Sequence, residues 1–337
     1  MRDVPTAQPL LEVRGLTVEF DQSGRWVPAV QDVSLEVGRG ETVALVGESG
    51  SGKTVTAMAV LGLTERRGGR IAGGSIRLDG RELVGLPERE LRAVRGNHVG
   101  MIFQQPIRSL NPAYTVGEQI AENVRAHLGL GRKAAWARAV EMLEMVHIPD
   151  AARRAQEYPH TFSGGMAQRI MIASAVACDP QMIIADEPTT ALDVTVQARI
   201  LQLLREIQER TGVSVLFISH DLGVVAEIAD RVVVMYAGEV AEQGTCEEVF
   251  FDPLHPYTSG LLGSIPAVGN GRLLRTIAGR IPAPGEWSEG CRFEARCPHA
   301  LAGVCDARHP ATAARADGRA VRCSRVQELV LEGVVRP

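Results

Sequence analysis

The sequence predicts an α/β fold with a parallel sheet. A short β-branched apolar run, Thr42 to Val46, stops at the glycine-rich Gly47 to Gly52 and is followed by a buried helical stretch, Val55 to Leu63. A second apolar strand, Met182 to Ala185, delivers the adjacent carboxylates Asp186 and Glu187 at its end. Around it, helices at about Gly164 to Cys178 and Val194 to Arg210 alternate with strands such as Val213 to Ser219, the order that builds parallel sheets. The chain has 337 residues, 45% hydrophobic and 23% charged, which suits a folded protein of about two domains and excludes disorder and collagen-like architecture.

The remaining elements follow in order. Leu11 to Val18 alternates like a half-buried strand and Val30 to Val37 follows it, so a small antiparallel sheet opens the chain. Gly68 to Gly74 reads as a loop, Ser75 to Leu78 as a strand before an Asp79-Gly80 turn, and Val99 to Phe103 as a strand ending at Gln104. Pro112 to Tyr158 is rich in Ala, Glu and Arg without strand signal, an inserted helical subdomain. Ile200, Leu203, Leu204 and Ile207 form the stripe of a helix packed on a sheet. Beyond about Thr245 the alternation fades into Pro- and Gly-containing segments, Asp252-Pro253, Pro266 and Ile281 to Gly285, where a smaller second domain is expected. No repeat of 20 to 50 residues is found.

Gly47, Glu48, Ser49, Gly50, Ser51, Gly52, Lys53 and Thr54 fit the phosphate-loop pattern, in which glycines let backbone N–H groups surround phosphate at a helix N-terminus. Lys53 would reach the β- and γ-phosphates, and Thr54 would supply a hydroxyl to Mg²⁺. Of the adjacent carboxylates Asp186 and Glu187, one can hold Mg²⁺ through water and the other can orient the attacking water. An Asp-Glu pair alone is an ordinary solvated turn and gains meaning only beside the loop.

With these residues in view, the chain resembles the ATP-binding subunits of ATP-binding-cassette transporters over about residues 11 to 245. Thr161 to Arg169 resembles the family signature, with Ser163, Gly164, Gly165 and Gln168 placed to face the γ-phosphate held by a partner subunit's loop. Gln104 is similar to the glutamine that senses Mg²⁺ and water, His220 to the switch histidine, Asp193 to the D-loop aspartate and Phe20 to the aromatic that stacks on adenine, with Trp26 a nearby competitor. Gln105 and Ala167 depart from residues common in the family without removing a phosphate ligand. The resemblance implies a RecA-like core with an antiparallel β subdomain and an inserted helical subdomain at about 105–165, all within residues 1–245. Residues 246–337 would form a small irregular extension. Glu187, His220 and Gln104 are the expected catalytic residues of an ATPase using Mg²⁺ at Thr54, Gln104 and Asp186.

Phe103 to Pro112 and Phe250 to Thr258, the latter with His255-Pro256-Tyr257-Thr258, resemble the oligopeptide and dipeptide importer subfamily, which includes nickel importers. The implied partners are a second homologous ATP-binding subunit, two transmembrane permeases and an extracytoplasmic substrate-binding protein. Cys291, Cys297, Cys305 and Cys323 lack the tight pairs of zinc ribbons, yet supply the four thiolates of a [4Fe–4S] cluster, with Arg292, Arg296, Arg308 and Arg322 to offset its charge. Such extensions resemble cluster-bearing proteins; the alternatives are zinc, with His299 or His309, and no metal at all. Cys178 and Cys246 carry no expected role.

The net charge of −4 provides no basic excess for nucleic acid, which argues against soluble cassette ATPases that act on ribosomes or DNA. The longest uncharged apolar stretch, Ile170 to Cys178, is too short to span a bilayer, and the N-terminus lacks a secretory pattern. The expected place is the cytoplasmic face of the membrane, bound to the permeases.

Overall fold

The computed structural model describes residues 8–190, 192–265 and 276–334. The predicted limits at residues 1 and 337, with Ala191 and Pro266, lie outside them. Among the described residues the strands are β1 (Leu11–Gln22), β2 (Arg25–Val37), β3 (Thr42–Val46), β4 (Gly69–Leu78), β5 (Arg81–Glu82), β6 (Val99–Ile102), β7 (Met182–Asp186), β8 (Ser214–Ser219), β9 (Arg231–Tyr236), β10 (Glu239–Thr245), β11 (Ala313–Ala314) and β12 (Ala320–Val321). The helices are α1 (Lys53–Val60), α2 (Glu88–Val94), α3 (Pro106–Ser109), α4 (Val116–Leu128), α5 (Arg132–Met145), α6 (Ala151–Arg154), α7 (Gly164–Val176), α8 (Val194–Thr211), α9 (Leu222–Ile228), α10 (Cys246–Phe251) and α11 (Pro256–Gly263). Two compact units result. One holds the described residues up to Val37, Thr42–Val84 and those from Ser219 onward; the other holds Gly38–Glu41 and Gly85–Ile218.

In the first unit β2 and β4 pair antiparallel on either side of β1, and β5 follows β4 through the Asp79-Gly80 turn. Both turn residues have positive φ, 51° and 76°, as a two-residue hairpin loop of this twist requires. The loop expected over Gly68 to Gly74 is corrected here. Most of that segment belongs to β4 and pairs with β1 from Phe20↔Gly69 to Thr17↔Gly73. Packing overrides the poor strand propensity of glycine. A Cβ at Gly69 would come within 2.8 Å of the Phe20 ring, and one at Gly74 within 2.6 Å of the Arg14 carbonyl.

The same unit contains β3 paired in parallel with β9, after which β10 and β12 add antiparallel and β11 completes the edge. Every residue of β3 is buried, which explains its unbroken apolar run. Beyond Thr245 the chain continues into this core. Thr245 and Glu248 form a reciprocal cap that starts α10. Phe250, Tyr257, Leu262 and Phe293 then pack against Ala44, Val46, Val232, Val234 and Tyr236. Tyr236, Tyr257 and Phe293 meet with ring centroids 4.6 to 5.3 Å apart, in tilted or edge-on geometry.

In the second unit β6, β7 and β8 run parallel, Val99 beside Met182 and Met182 beside Ser214. The predicted helical insertion appears as α4, α5 and α6, with Val116, Ile120, Ala121 and Val124 on the buried face of α4. Thr115 caps α4 by accepting from the Glu118 N–H, and Gly129 ends it in the left-handed conformation.

Phe293, 2% exposed at the centre of the aromatic group, ties the extension to the first unit. Phe293→Ala should lower stability by about 3–5 kcal/mol, read as a reduced melting temperature, because the cavity opens inside a shared core.

Candidate functional site

The phosphate loop links β3 to α1. Gly47, Gly50 and Gly52 have φ of 145°, 85° and 106°, values that L side chains rarely adopt. At Gly47 a Cβ would lie 2.2 Å from the Met235 carbonyl, and at Gly52 2.5 Å from Val30. Lys53 is buried, and its ammonium donates to the carbonyls of Gly47 at 2.7 Å and Glu48 at 3.0 Å. Thr54, on the first turn of α1, is exposed. Phe20 is half-buried on β1 against Gly69, while Trp26 is exposed with the Arg70 guanidinium 4.2 Å above its ring. His220, also in this unit, is exposed just after β8.

In the second unit Asp186 is buried at the end of β7. Glu187 takes a left-handed φ of 48°, and its N–H donates to the Ile218 carbonyl. Its carboxylate accepts from the Gln104 side-chain amide at 2.7 Å and the Thr190 hydroxyl at 3.0 Å. Two of the three predicted catalytic residues, Gln104 and Glu187, are thus hydrogen-bonded to each other. Ser163 caps α7 by accepting from the Met166 N–H, which leaves Gly164 and Gly165 in the first turn. Gly165 also lets α8 approach, since a Cβ there would sit 2.8 Å from Val196. Asp193 caps α8 through the Val196 N–H. Gln168 is buried.

The extension meets the phosphate loop inside the first unit. The Tyr257 hydroxyl accepts from the Glu48 N–H at 2.9 Å, and Arg296 forms a two-pronged ion pair with the Glu48 carboxylate at 3.0 and 3.1 Å. Cys291, Cys297, Cys305 and Cys323 all line one recess with about 340 Å³ of atom-free space, part of it open to solvent, together with His255 and His299. All four are free thiols. Burial pushes the Cys291 thiol up to about 12 and Cys297 up to about 11. Among the described residues no three His, Cys, Asp or Glu side chains converge closely enough to share one metal ion.

Comparison with known proteins places this geometry. The ABC transporter family matches residues 30–190, and the oligopeptide/dipeptide transporter C-terminal region matches residues 241–305. A peptide import ATP-binding protein of Brucella melitensis is 49% identical over 334 residues, covering 96% of this chain and 98% of the relative. The chain belongs to the ABC transporter family. The oligopeptide transport ATP-binding protein AppD of Bacillus subtilis is 48% identical over 320 residues, 95% of this chain and 97% of AppD. Among solved structures, the dimeric ATP-binding cassette MJ0796 in a post-hydrolysis state with ADP and Pi aligns with a TM-score of 0.63 at 28% identity, covering 70% of this chain and 98% of its own. The structure of cbiO1 of Clostridium perfringens, part of the ABC transporter complex cbiONQ, gives 0.61 at 26% identity, over 72% of this chain and 90% of its own. This chain is an ATP-binding ATPase cassette. Among its described residues no helix is long and apolar enough to cross a membrane.

Sequence reading of the cassette missed three neighbours of the site. Thr190 carries no motif signal apart from lying three residues after Glu187. Tyr257 stood out only within the His-Pro-Tyr-Thr segment. Arg296 was expected to balance cluster charge, and its guanidinium instead grips Glu48. Arg292 and Arg322 are likewise engaged elsewhere. Arg292 donates to the Ala237 carbonyl at 2.6 Å and stacks over Trp287, and Arg322 pairs with Asp32 at 2.8 Å. Both also face the buried Glu239 carboxylate. His309, the alternative zinc ligand, hydrogen-bonds Glu239 at 2.8 Å and the Gly290 carbonyl at 3.1 Å, so the ring is committed to this cassette contact.

The Glu239 hydrogen bond raises the pKa of His309 against the opposing effects of burial and Arg292. Its contribution to stability is therefore full below about pH 6.5 and lost as pH climbs through the raised folded value. Melting curves should show His309→Gln less stable than the parent at low pH, with the gap closing as pH rises above about 6.5.

Proposed function

We propose that the chain is the ATP-hydrolysing subunit that energises import of oligopeptides or dipeptides, acting at the cytoplasmic face of the membrane with membrane permeases. The observation that carries this reading is likeness along the whole chain. Relatives named for peptide import and oligopeptide transport match both the cassette and the extension at about half identity. The finer assembly we propose is a second homologous ATP-binding subunit, two permeases and an extracytoplasmic substrate-binding protein. Within the chain, the boundary between cassette and extension is placed near residue 245.

The roles proposed for the residues follow their chemistry. N–H groups of the loop from Gly47 to Thr54 and the Lys53 ammonium hold phosphates, and Phe20 stacks on adenine. Thr54, Asp186 and Gln104 offer hydroxyl, carboxylate and amide oxygens, a hard donor set that suits Mg²⁺. When bound, that ion would neutralise charge on the phosphates. Glu187 takes the proton of the attacking water, held in place by Gln104 and Thr190, while His220 contacts the γ-phosphate. Ser163, Gly164, Gly165 and Gln168 face the nucleotide of the partner subunit, and Asp193 shapes the same contact.

For the four cysteines we propose a [4Fe–4S] cluster of structural purpose in preference to zinc. Four free thiols line one recess, and a polynuclear cluster accepts ligands that surround a space without meeting at one point. Burial raises the Cys291 and Cys297 thiols, and a bound cation would displace their protons and stabilise the thiolates. Anaerobically purified protein should contain about four iron and four sulfide per chain and lose both in Cys297→Ser. Zinc in their place would overturn the assignment.

Glu187→Gln should retain ATP binding and lose turnover by about a hundredfold or more. Steady-state hydrolysis at the parental rate would refute the role of Glu187. ATPase activity of the complex co-purified from native membranes should rise with di- or oligopeptides and the binding protein. No response to any peptide would remove the solute assignment and leave the ATPase standing.

A further inference from the structure

Glu48 places a carboxylate inside a loop built to receive a polyanion. An unpaired carboxylate there would repel phosphate, since like charges in a partly desolvated site interact strongly. The structure pairs it. The Arg296 side chain is only 7% exposed against 28% for Glu48, and every arm of its guanidinium is engaged. Nε donates to the Ala278 carbonyl at 2.8 Å, Nη2 to Glu48 at 3.1 Å, and Nη1 to Glu48 at 3.0 Å and the Tyr236 hydroxyl at 3.4 Å. A planar fork fixed at every nitrogen holds a carboxylate in one orientation, which a lysine cannot do.

Tyr257 acts on the backbone of the same residue. Its side chain is fully buried against Tyr236 and Phe293, and its hydroxyl takes the Glu48 N–H. The first variable residue of the loop is thus tied at both backbone and side chain by groups that lie more than 200 positions later in the chain. Ile281, also from the extension, lies where a Cβ on Gly50 would touch it at 3.6 Å.

We propose that Arg296 and Tyr257 are positioning residues for nucleotide binding: the C-terminal extension acts in cis as a latch that neutralises Glu48 and fixes the start of the phosphate loop. The proposal rests on the reading of this loop as the ATP site. Arg296 immediately precedes Cys297, so the thiol recess and the phosphate loop share one turn of chain. The latch therefore ties the integrity of the cysteine region to nucleotide affinity.

The test is equilibrium binding of Mg-ATP, Mg-ADP and adenosine to the full chain. Arg296→Gln should weaken Mg-ATP about tenfold, Mg-ADP less, and adenosine within about twofold, because the freed carboxylate repels charge and not the base. Adding Glu48→Gln to Arg296→Gln should restore most of the affinity. Equal losses for all three ligands, or no rescue by Glu48→Gln, would overturn the latch. Amide exchange reads the backbone arm without nucleotide: Tyr257→Phe should speed exchange at Glu48 about tenfold or more, and unchanged exchange there overturns that arm. If the parent binds no Mg-ATP, the ATP-site reading fails while the exchange result still judges the latch.

Discussion

A buried ammonium must be surrounded by oxygens, and this requirement at Lys53 governs the shape of the phosphate loop. The side chain is 5% exposed and donates to the carbonyls of Gly47 and Glu48. Drawing those carbonyls inward forces the chain through conformations that only glycine adopts cheaply, which is why positions 47, 50 and 52 are glycine. The N–H groups of the following residues are then left at the head of α1, where the helix dipole favours an anion. The loop is held closely as well as shaped. Gly47 lies against the Met235 carbonyl and Gly52 against Val30, so strands β9 and β2 form the wall behind it.

The same logic extends to the C-terminal residues. Glu239 on β10 is 5% exposed and faces Arg292, Arg322 and His309, all from the extension. Leaving a buried carboxylate without these partners costs several kcal/mol, so the irregular segment is required by the sheet as much as it is supported by it. Glu242, three residues along the same strand, makes a comparable demand. Burial raises its pKa, and it accepts from the N–H groups of Leu254 and His255, which orients the entry to α11 and hence Tyr257. The burial-lowered pKa of His255, about 4, keeps its ring neutral, so that Nδ1 can accept from the Tyr257 N–H. Two acidic residues of one strand thereby fix the geometry of the extension that reaches the loop.

How much of this was legible in the sequence depended on range. Local signals were reliable: the apolar run of β3 ends at Val46 as read, the Asp79-Gly80 turn has the positive φ its residues suggest, and the stripe Ile200, Leu203, Leu204, Ile207 is the buried face of α8. Glycine misled at Gly68 to Gly74, because propensity is local while the pairing of β4 with β1 is set by partners some fifty positions away. The cap that starts α10, Thr245 with Glu248, is a local signal that sequence reading passed over where periodicity faded. The proposed site residues were read from motif spacing. Their supports were not, since the contacts of Thr190, Tyr257 and Arg296 arise from packing; the arginines near the cysteines were read by proximity in sequence, whereas the charges of Arg292, Arg296 and Arg322 answer Glu239, Glu48 and Asp32.

Adjacent carboxylates at a strand end raise a geometric problem that Glu187 resolves by its backbone. Along a regular strand successive side chains point to opposite faces, so Asp186 and Glu187 would be sent apart. The left-handed turn at Glu187 breaks that alternation at a cost of about 1–2 kcal/mol for a residue with a Cβ. Its N–H bond to Ile218 on β8 and the side-chain bonds from Thr190 and Gln104 offset the cost. Of these, Gln104 lies just past β6 on the segment that leads through α3 into the helical insertion. A displacement of that segment removes a donor from the carboxylate directly, within one unit and without any change in the strand that carries it. The aim of the Glu187 carboxylate is therefore tied, through the Gln104 hydrogen bond, to the position of the 103–110 segment.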